Sequence, residues 1–157
     1  KMFIRNLDLK VAKNVIESEE VKGKYFTTVL QYREQAIWKG PELLQAPLRQ
    51  IFSVIYNANK VLCIDSFVMH VATAFDKKPV VCWAGTSPNG LGYKQNTNLS
   101  RSCCPDPACG RPNSFLLDVD FKGEPWDCPY GEPCAEHDEK DIIDALMKKP
   151  APNARGK

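Results

Sequence analysis

Val61-Leu62-Cys63-Ile64-Asp65-Ser66-Phe67-Val68-Met69-His70-Val71-Ala72-Thr73-Ala74-Phe75 is followed closely by Pro79-Val80-Val81-Cys82-Trp83. The runs at 61–64 and 79–83 are short and apolar on both faces, which is the pattern of strands buried in a parallel sheet. Ser66 stands between them as an N-cap, and a helix is expected over 67–75 with Val68, Val71, Ala72 and Phe75 facing inward. A strand, a helix and a second strand in so short a span make one crossover unit.

Just upstream, Pro47 stands where a first helical residue can lack its N–H, and Leu48, Ile51, Phe52, Ile55 and Ala58 follow at helical spacing. Nearer the start, Leu9, Ala12, Val15 and Ile16 predict an amphipathic helix over 8–20, ended by Gly23. Residues 25–30 are rich in β-branched and aromatic side chains and predict a strand, with a polar loop over 31–40. Helix and strand thus alternate, which implies an α/β fold with a Rossmann-like parallel sheet and crossover helices.

Beyond Gly85 the composition turns to Pro, Gly, Asn, Ser and Cys as far as Cys134, predicting a loop-rich excursion with little regular structure. Asp138 is expected to cap a final helix over 139–148, with lysines in its last turn and Ile142, Ile143, Leu146 and Met147 for docking. The expected organisation is one α/β domain over 1–150, holding a Cys-rich loop segment at 99–137 and a C-terminal helix at 138–149, before a disordered tail at 150–157.

The bulk numbers suit this plan. The 157 residues are 43% hydrophobic and 25% charged, which is enough to bury one core. A formal charge of +2 without a basic stripe argues against nucleic acid as partner. No apolar run reaches the roughly 18 to 20 residues of a membrane span, and no signal-peptide core is present, so a cytoplasmic protein is expected. The chain opens on Lys1 rather than methionine and is expected to be a fragment or processed piece.

In an open parallel sheet, ligands bind beyond the carboxyl ends of the strands. Asp65 and Ser66 occupy that position. The helix amides just past Ser66 form a place for a phosphate or pyrophosphate, and His70 in the first turn could add a donor or a positive charge. Asp65 suits sugar hydroxyls, because a carboxylate only accepts hydrogen bonds. Gly85, Thr86 and Ser87 offer a second small-residue loop at the next strand end. The plain alternative is a helix cap at Asp65 and Ser66 with an ordinary histidine at position 70.

The run Leu48-Arg49-Gln50-Ile51-Phe52-Ser53-Val54-Ile55-Tyr56-Asn57-Ala58, then Ile64-Asp65-Ser66-Phe67-Val68-Met69-His70-Val71-Ala72-Thr73-Ala74, resembles the donor-binding half of heptosyltransferase-like (family 9) glycosyltransferases. Lys78-Pro79-Val80-Val81 and Gly85-Thr86-Ser87-Pro88 are similar to that family's next strand and loop, and a weaker likeness runs from Gly92-Tyr93 to Asn98. The resemblance implies one half of a two-domain GT-B architecture. Its substrate would be a nucleotide-diphosphate sugar, a heptose being one candidate, and its acceptor a glycan or other hydroxyl. Asp65 would hold the sugar, Ser66 and His70 the diphosphate, and Gly85 and Thr86 the second loop. Two departures stand out: Phe67 replaces the family glycine, and Thr86 follows Gly85 where the family has proline. The general base is expected outside this chain, in an acceptor domain of a parent chain or partner subunit, so the chain alone is expected to be inactive.

Seven cysteines remain to be placed. Cys63 and Cys82 lie in the apolar runs and read as small hydrophobes. Cys104, Cys109, Cys128 and Cys134 make two pairs of the kind that build a four-thiolate site, with Cys103 and His137 as spares. Structural zinc, or iron, would tie the loop-rich segment together, and some enzymes of the resembled family carry a similar Cys-rich appendage. Disulfides or reduced thiols are the alternatives. A competing function is a non-catalytic structural or interaction module derived from this fold, favoured by Phe67 and stabilised by the metal site. A metal-dependent oxidoreductase or nucleic-acid-binding zinc module has only the cysteines behind it.

Overall fold

The computed structural model describes residues 7–30, 43–44, 46–84, 88–100 and 136–148. Helix α1 (Leu9–Glu17) is capped by Asp8, whose carboxylate accepts from the amides of Lys10 at 2.7 Å and Val11 at 3.2 Å. The single helix expected over 8–20 is broken at Ser18. That residue is extended (ψ 145°), ends α1 and accepts from Val21 N–H at 3.4 Å to cap the short α2 (Glu19–Lys22). Serine competes for backbone partners in this way, which is why it favours helix ends over helix interiors. Gly23 terminates α2, as expected.

The strand expected over 25–30 shrinks to β1 (Val29–Leu30), paired in parallel with β2 (Leu43–Leu44). Phe26 is 86% exposed, while Tyr25 is half-buried against the core, so one of the two aromatics of this stretch is left outside the packing. The loop expected over 31–40 lies outside the described residues. Pro47 is the N-cap of α3 (Leu48–Asn57) rather than its first helical residue.

The main sheet has three parallel strands in the order β3 (Leu62–Ile64), β4 (Val80–Trp83) and β5 (Thr97–Ser100). Register runs Leu62 to Val80 and Ile64 to Cys82 on one side of β4, and Val80 to Thr97 and Trp83 to Ser100 on the other. Strand side chains alternate between faces. Val80 and Cys82 therefore join Val15, Val21, Ile142, Ala145 and Leu146 in one core, while Val81 and Trp83 join Met69 in the other. Helices α1, α2 and α6 (Glu139–Met147) cover the first face, and α4 (Phe67–Ala74) covers the second. This is a Rossmann-like α/β arrangement of layers.

Four further readings of the sequence need correction. Of the two apolar runs, β4 is buried along its whole length, whereas β3 is half-buried, because among the described residues it pairs on one side alone. Met69, Ala72 and Thr73 are the buried residues of α4, whereas Val68, Val71 and Phe75 are half-buried, because the helix faces the sheet one residue further round. The segment after Gly85, expected to hold little regular structure, supplies the short α5 (Pro88–Leu91) and the whole of β5 at its start. Finally, α6 ends at Met147 with no basic residue in its last turn, Lys148 being the C-cap.

Other local features follow from backbone chemistry. Helix α4 closes with Lys77 N–H bonded to Ala72 C=O at 2.9 Å and Asp76 N–H to Thr73 C=O at 3.0 Å, with Asp76 at φ 57°. That is a Schellman ending in which a short acidic residue takes the left-handed position usually held by glycine. Asp138 caps α6 through Lys140 N–H at 2.8 Å, and Asn14 of α1 donates to Glu139 of α6 at 2.6 Å. Among the described residues, no helix is long and apolar enough to cross a membrane.

Ile142 has no solvent exposure and sits where α6 meets α1 and the sheet. Ile142→Ala is expected to lower the unfolding free energy by about 2–5 kcal/mol. Urea unfolding followed by circular dichroism checks this, with the half-buried Ile143→Ala as a comparison expected to lose less.

Candidate functional site

Parallel strands direct their carboxyl ends to one edge of the sheet, and the candidate residues follow from that. Asp65 comes directly after β3 and is only 7% exposed. Its charge reaches the neighbouring Cys63 thiol, whose pKa is raised from 9.0 to about 12, chiefly by burial and then by Cys82 and Asp65. The Cys82 thiol is pushed up to about 12 by burial alone. Both thiols are held neutral, as befits small hydrophobes in a core.

Ser66 occupies the N-cap position of α4 with extended backbone (φ −156°, ψ 173°) but makes no side-chain cap. Its hydroxyl donates back to Ile64 C=O at 3.3 Å. The capping role expected for Ser66 is thus corrected: the backbone begins the helix, and the side chain does not compete for the first-turn amides. Phe67, the first residue of α4, is 36% exposed. One turn on, His70 is exposed, on the same side of the helix as Phe67 by the three-residue spacing.

His70 has a partner that residue-by-residue reading of the sequence did not single out. Its Nδ1 lies 2.9 Å from the Tyr93 hydroxyl, and the two rings meet edge to face at 5.6 Å and 80°. Tyr93 follows Gly92, where a Cβ would approach Pro88 C=O to 2.6 Å, so only glycine closes the α5 turn this tightly. The Tyr93 carbonyl accepts from the Asn98 side-chain amide at 3.0 Å, and Asn98 in turn accepts from the buried Trp83 indole N–H at 2.9 Å. A continuous chain of contacts therefore runs from core tryptophan to surface histidine. The one signal of Tyr93 in the sequence was its place in the weaker stretch of family likeness.

Gly85 and Thr86, expected to form the second loop, lie outside the described residues, as do Cys104, Cys109, Cys128 and Cys134. Among the described residues, no three His, Cys, Asp or Glu side chains are placed to hold a metal ion. A cavity of about 150 Å³ opens beside the carboxyl end of β5, lined by Asn98, Leu99, Ser100, His137, Asp138 and Asp141. It lies along the strand-end edge of the sheet, two strands from Asp65.

The geometry is that of a strand-end position in an α/β sheet. The model of glycosyltransferase family 9 (heptosyltransferase) matches residues 44–112. This stretch is similar to glycosyltransferase family 9. It takes in α3 through β5, and with them Asp65, Ser66, His70 and Tyr93, slightly under half of the chain. The matched stretch also contains Cys104 and Cys109 but stops short of Cys128 and Cys134. No curated protein and no solved structure matches the chain.

The two raised thiols carry a pH consequence. Below pH 9.0, folded and unfolded chains both hold the protons; between 9.0 and about 12 the unfolded chain loses them and the folded chain keeps them. The stability they contribute is therefore complete below the unfolded value and falls as pH rises through that window. Replacing both residues with alanine is expected to flatten this part of the stability–pH curve. Mass-spectrometric mapping of iodoacetamide labelling at pH 8 is expected to find Cys63 and Cys82 unmodified until the protein is unfolded.

Proposed function

We propose that the family 9 segment is the nucleotide-sugar-recognising part of a glycosyltransferase, which moves a sugar from a nucleotide-diphosphate donor to an acceptor hydroxyl. The observation that carries this reading is the placement of Asp65 at the end of β3 and of exposed His70 in the first turn of the helix that follows, within the matched family segment. The α4 N-terminus supplies positive potential and, with His70, hydrogen-bond donors for the diphosphate, and so stabilises the nucleotide as it leaves. Asp65 accepts hydrogen bonds from sugar hydroxyls, with a heptose as one candidate. Gly85 and Thr86 are assigned the neighbouring loop on their sequence alone. The general base belongs to an acceptor domain, in a parent chain or a partner subunit, that completes a GT-B pair. The reaction is assigned to the cytoplasm, with a glycan or other hydroxyl compound as acceptor.

Titration calorimetry with a panel of nucleotide-diphosphate sugars tests this reading. One donor is expected to bind, and His70→Ala or Asp65→Asn to weaken it by about 10- to 100-fold, the worth of a hydrogen bond to a charged group. No binding by any donor would sink the proposal and favour the non-catalytic module, for which Phe67 in the glycine position is the supporting feature.

Cys104, Cys109, Cys128 and Cys134 are assigned a structural zinc or iron on their pairing in the sequence. About one equivalent of metal per chain is expected by elemental analysis, released when Cys104 and Cys109 are both replaced by serine. Metal content near zero in freshly purified, reduced protein would overturn the assignment.

A further inference from the structure

We propose that Tyr93 is a positioning residue for His70, holding Nδ1 so that Nε2–H is the donor presented to an anionic ligand. The role rests on the donor reading above only for the identity of the anion, the diphosphate. Nδ1 and the Tyr93 hydroxyl are 2.9 Å apart, and the edge-to-face ring contact at 5.6 Å fixes the imidazole from the side as well. Three proton arrangements fit that distance. A neutral ring can accept from the hydroxyl at Nδ1 and carry its proton on Nε2. An imidazolium can donate from Nδ1 to the tyrosine oxygen and still carry a proton on Nε2. The remaining arrangement, a neutral ring protonated at Nδ1, turns the lone pair of Nε2 outward, where it repels an anion. An anionic ligand selects the first two, and in both Nε2 donates.

Tyr93 is itself held. Its carbonyl takes the Asn98 amide at 3.0 Å, Asn98 takes the Trp83 indole at 2.9 Å, and Trp83 is 1% exposed. Gly92 lets the α5 turn close to 2.9 Å between its N–H and Pro88 C=O immediately before Tyr93. An exposed histidine on a helix surface would otherwise sample several rotamers, and each would have to be given up when a ligand binds. The tyrosine removes that freedom in advance.

The test uses the full chain with its histidines labelled with ¹⁵N, which gives a simple spectrum because there are two, His70 and His137. Tyr93→Phe keeps the ring and removes only the hydroxyl. Long-range ¹H–¹⁵N spectra are expected to show the His70 Nδ1 resonance and the tautomer balance moving in Tyr93→Phe, while His137 stays in place. Unchanged His70 resonances in a folded variant would overturn the positioning role. So would a wild-type ring that is neutral and protonated at Nδ1, an observation needing no variant.

Inorganic pyrophosphate is the probe for the anion. It is expected to perturb Nε2–H of His70 in the wild type and to bind about 2- to 10-fold more weakly to Tyr93→Phe, the worth of one neutral hydrogen bond. Perturbation centred on Nδ1 would overturn the assignment of Nε2. If nucleotide-sugar binding fails while pyrophosphate still moves Nε2–H, the donor reading falls and the positioning role stands. If neither binds, the anion assignment falls with the donor reading, and the comparison of free proteins still decides what Tyr93 does to His70.

Discussion

Burial of β4 from both sides organises the layers around it. Val80, Val81, Cys82 and Trp83 are each at most 2% exposed, and neighbours along the strand face opposite layers. At about 1.5–3 kcal/mol for each large apolar side chain buried, neither face can be left to water. Helices α1, α2 and α6 are needed on one side and α4 on the other, while β3 and β5 take up the strand's backbone hydrogen bonds. Residues as far apart in the chain as Val15 and Leu146 are thereby brought into one core.

The polar atom of the largest of these side chains has a consequence at the surface. A buried indole N–H needs an acceptor. Asn98 provides it from β5, and its own amide then fixes the turn that carries Tyr93 to His70. The same strand pairs its backbone to β4 and sends Leu99 toward the opposite core. A short polar strand thus joins two tasks, closing the sheet and connecting the core to the candidate site. Thr73 and Asn96 do similar work nearby, bonded to each other at 3.0–3.1 Å with both residues buried.

The comparison of β3 with β5 shows how much of the fold and site was legible in the sequence. Leu62-Cys63-Ile64 and Val80-Val81-Cys82-Trp83 announce strands because their apolar character is continuous, and Asp65, Ser66 and His70 are legible because their place follows from where such a strand ends. Thr97-Asn98-Leu99-Ser100 carries no such signal, since its threonine, asparagine and serine are equally at home in a loop. It becomes a strand because β4 offers it an unsatisfied edge and Trp83 offers it a donor. Ser66 shows the reverse case: its residue type suits a cap, but its hydroxyl bonds to Ile64 C=O instead.

By itself, then, the sequence determined the alternation of helix and strand, the parallel α/β class, the position of Asp65 and His70 at a strand end, and the likeness to family 9 over the central stretch. These rest on local periodicity and on residue types at fixed spacing, which a chain carries before it folds. Packing settled that β5 completes the sheet, that α4 turns Met69 and Thr73 inward, and that Tyr93 meets His70. Each of those outcomes depends on a partner distant in sequence supplying a surface to bury or a hydrogen bond to complete, and no local pattern encodes that choice.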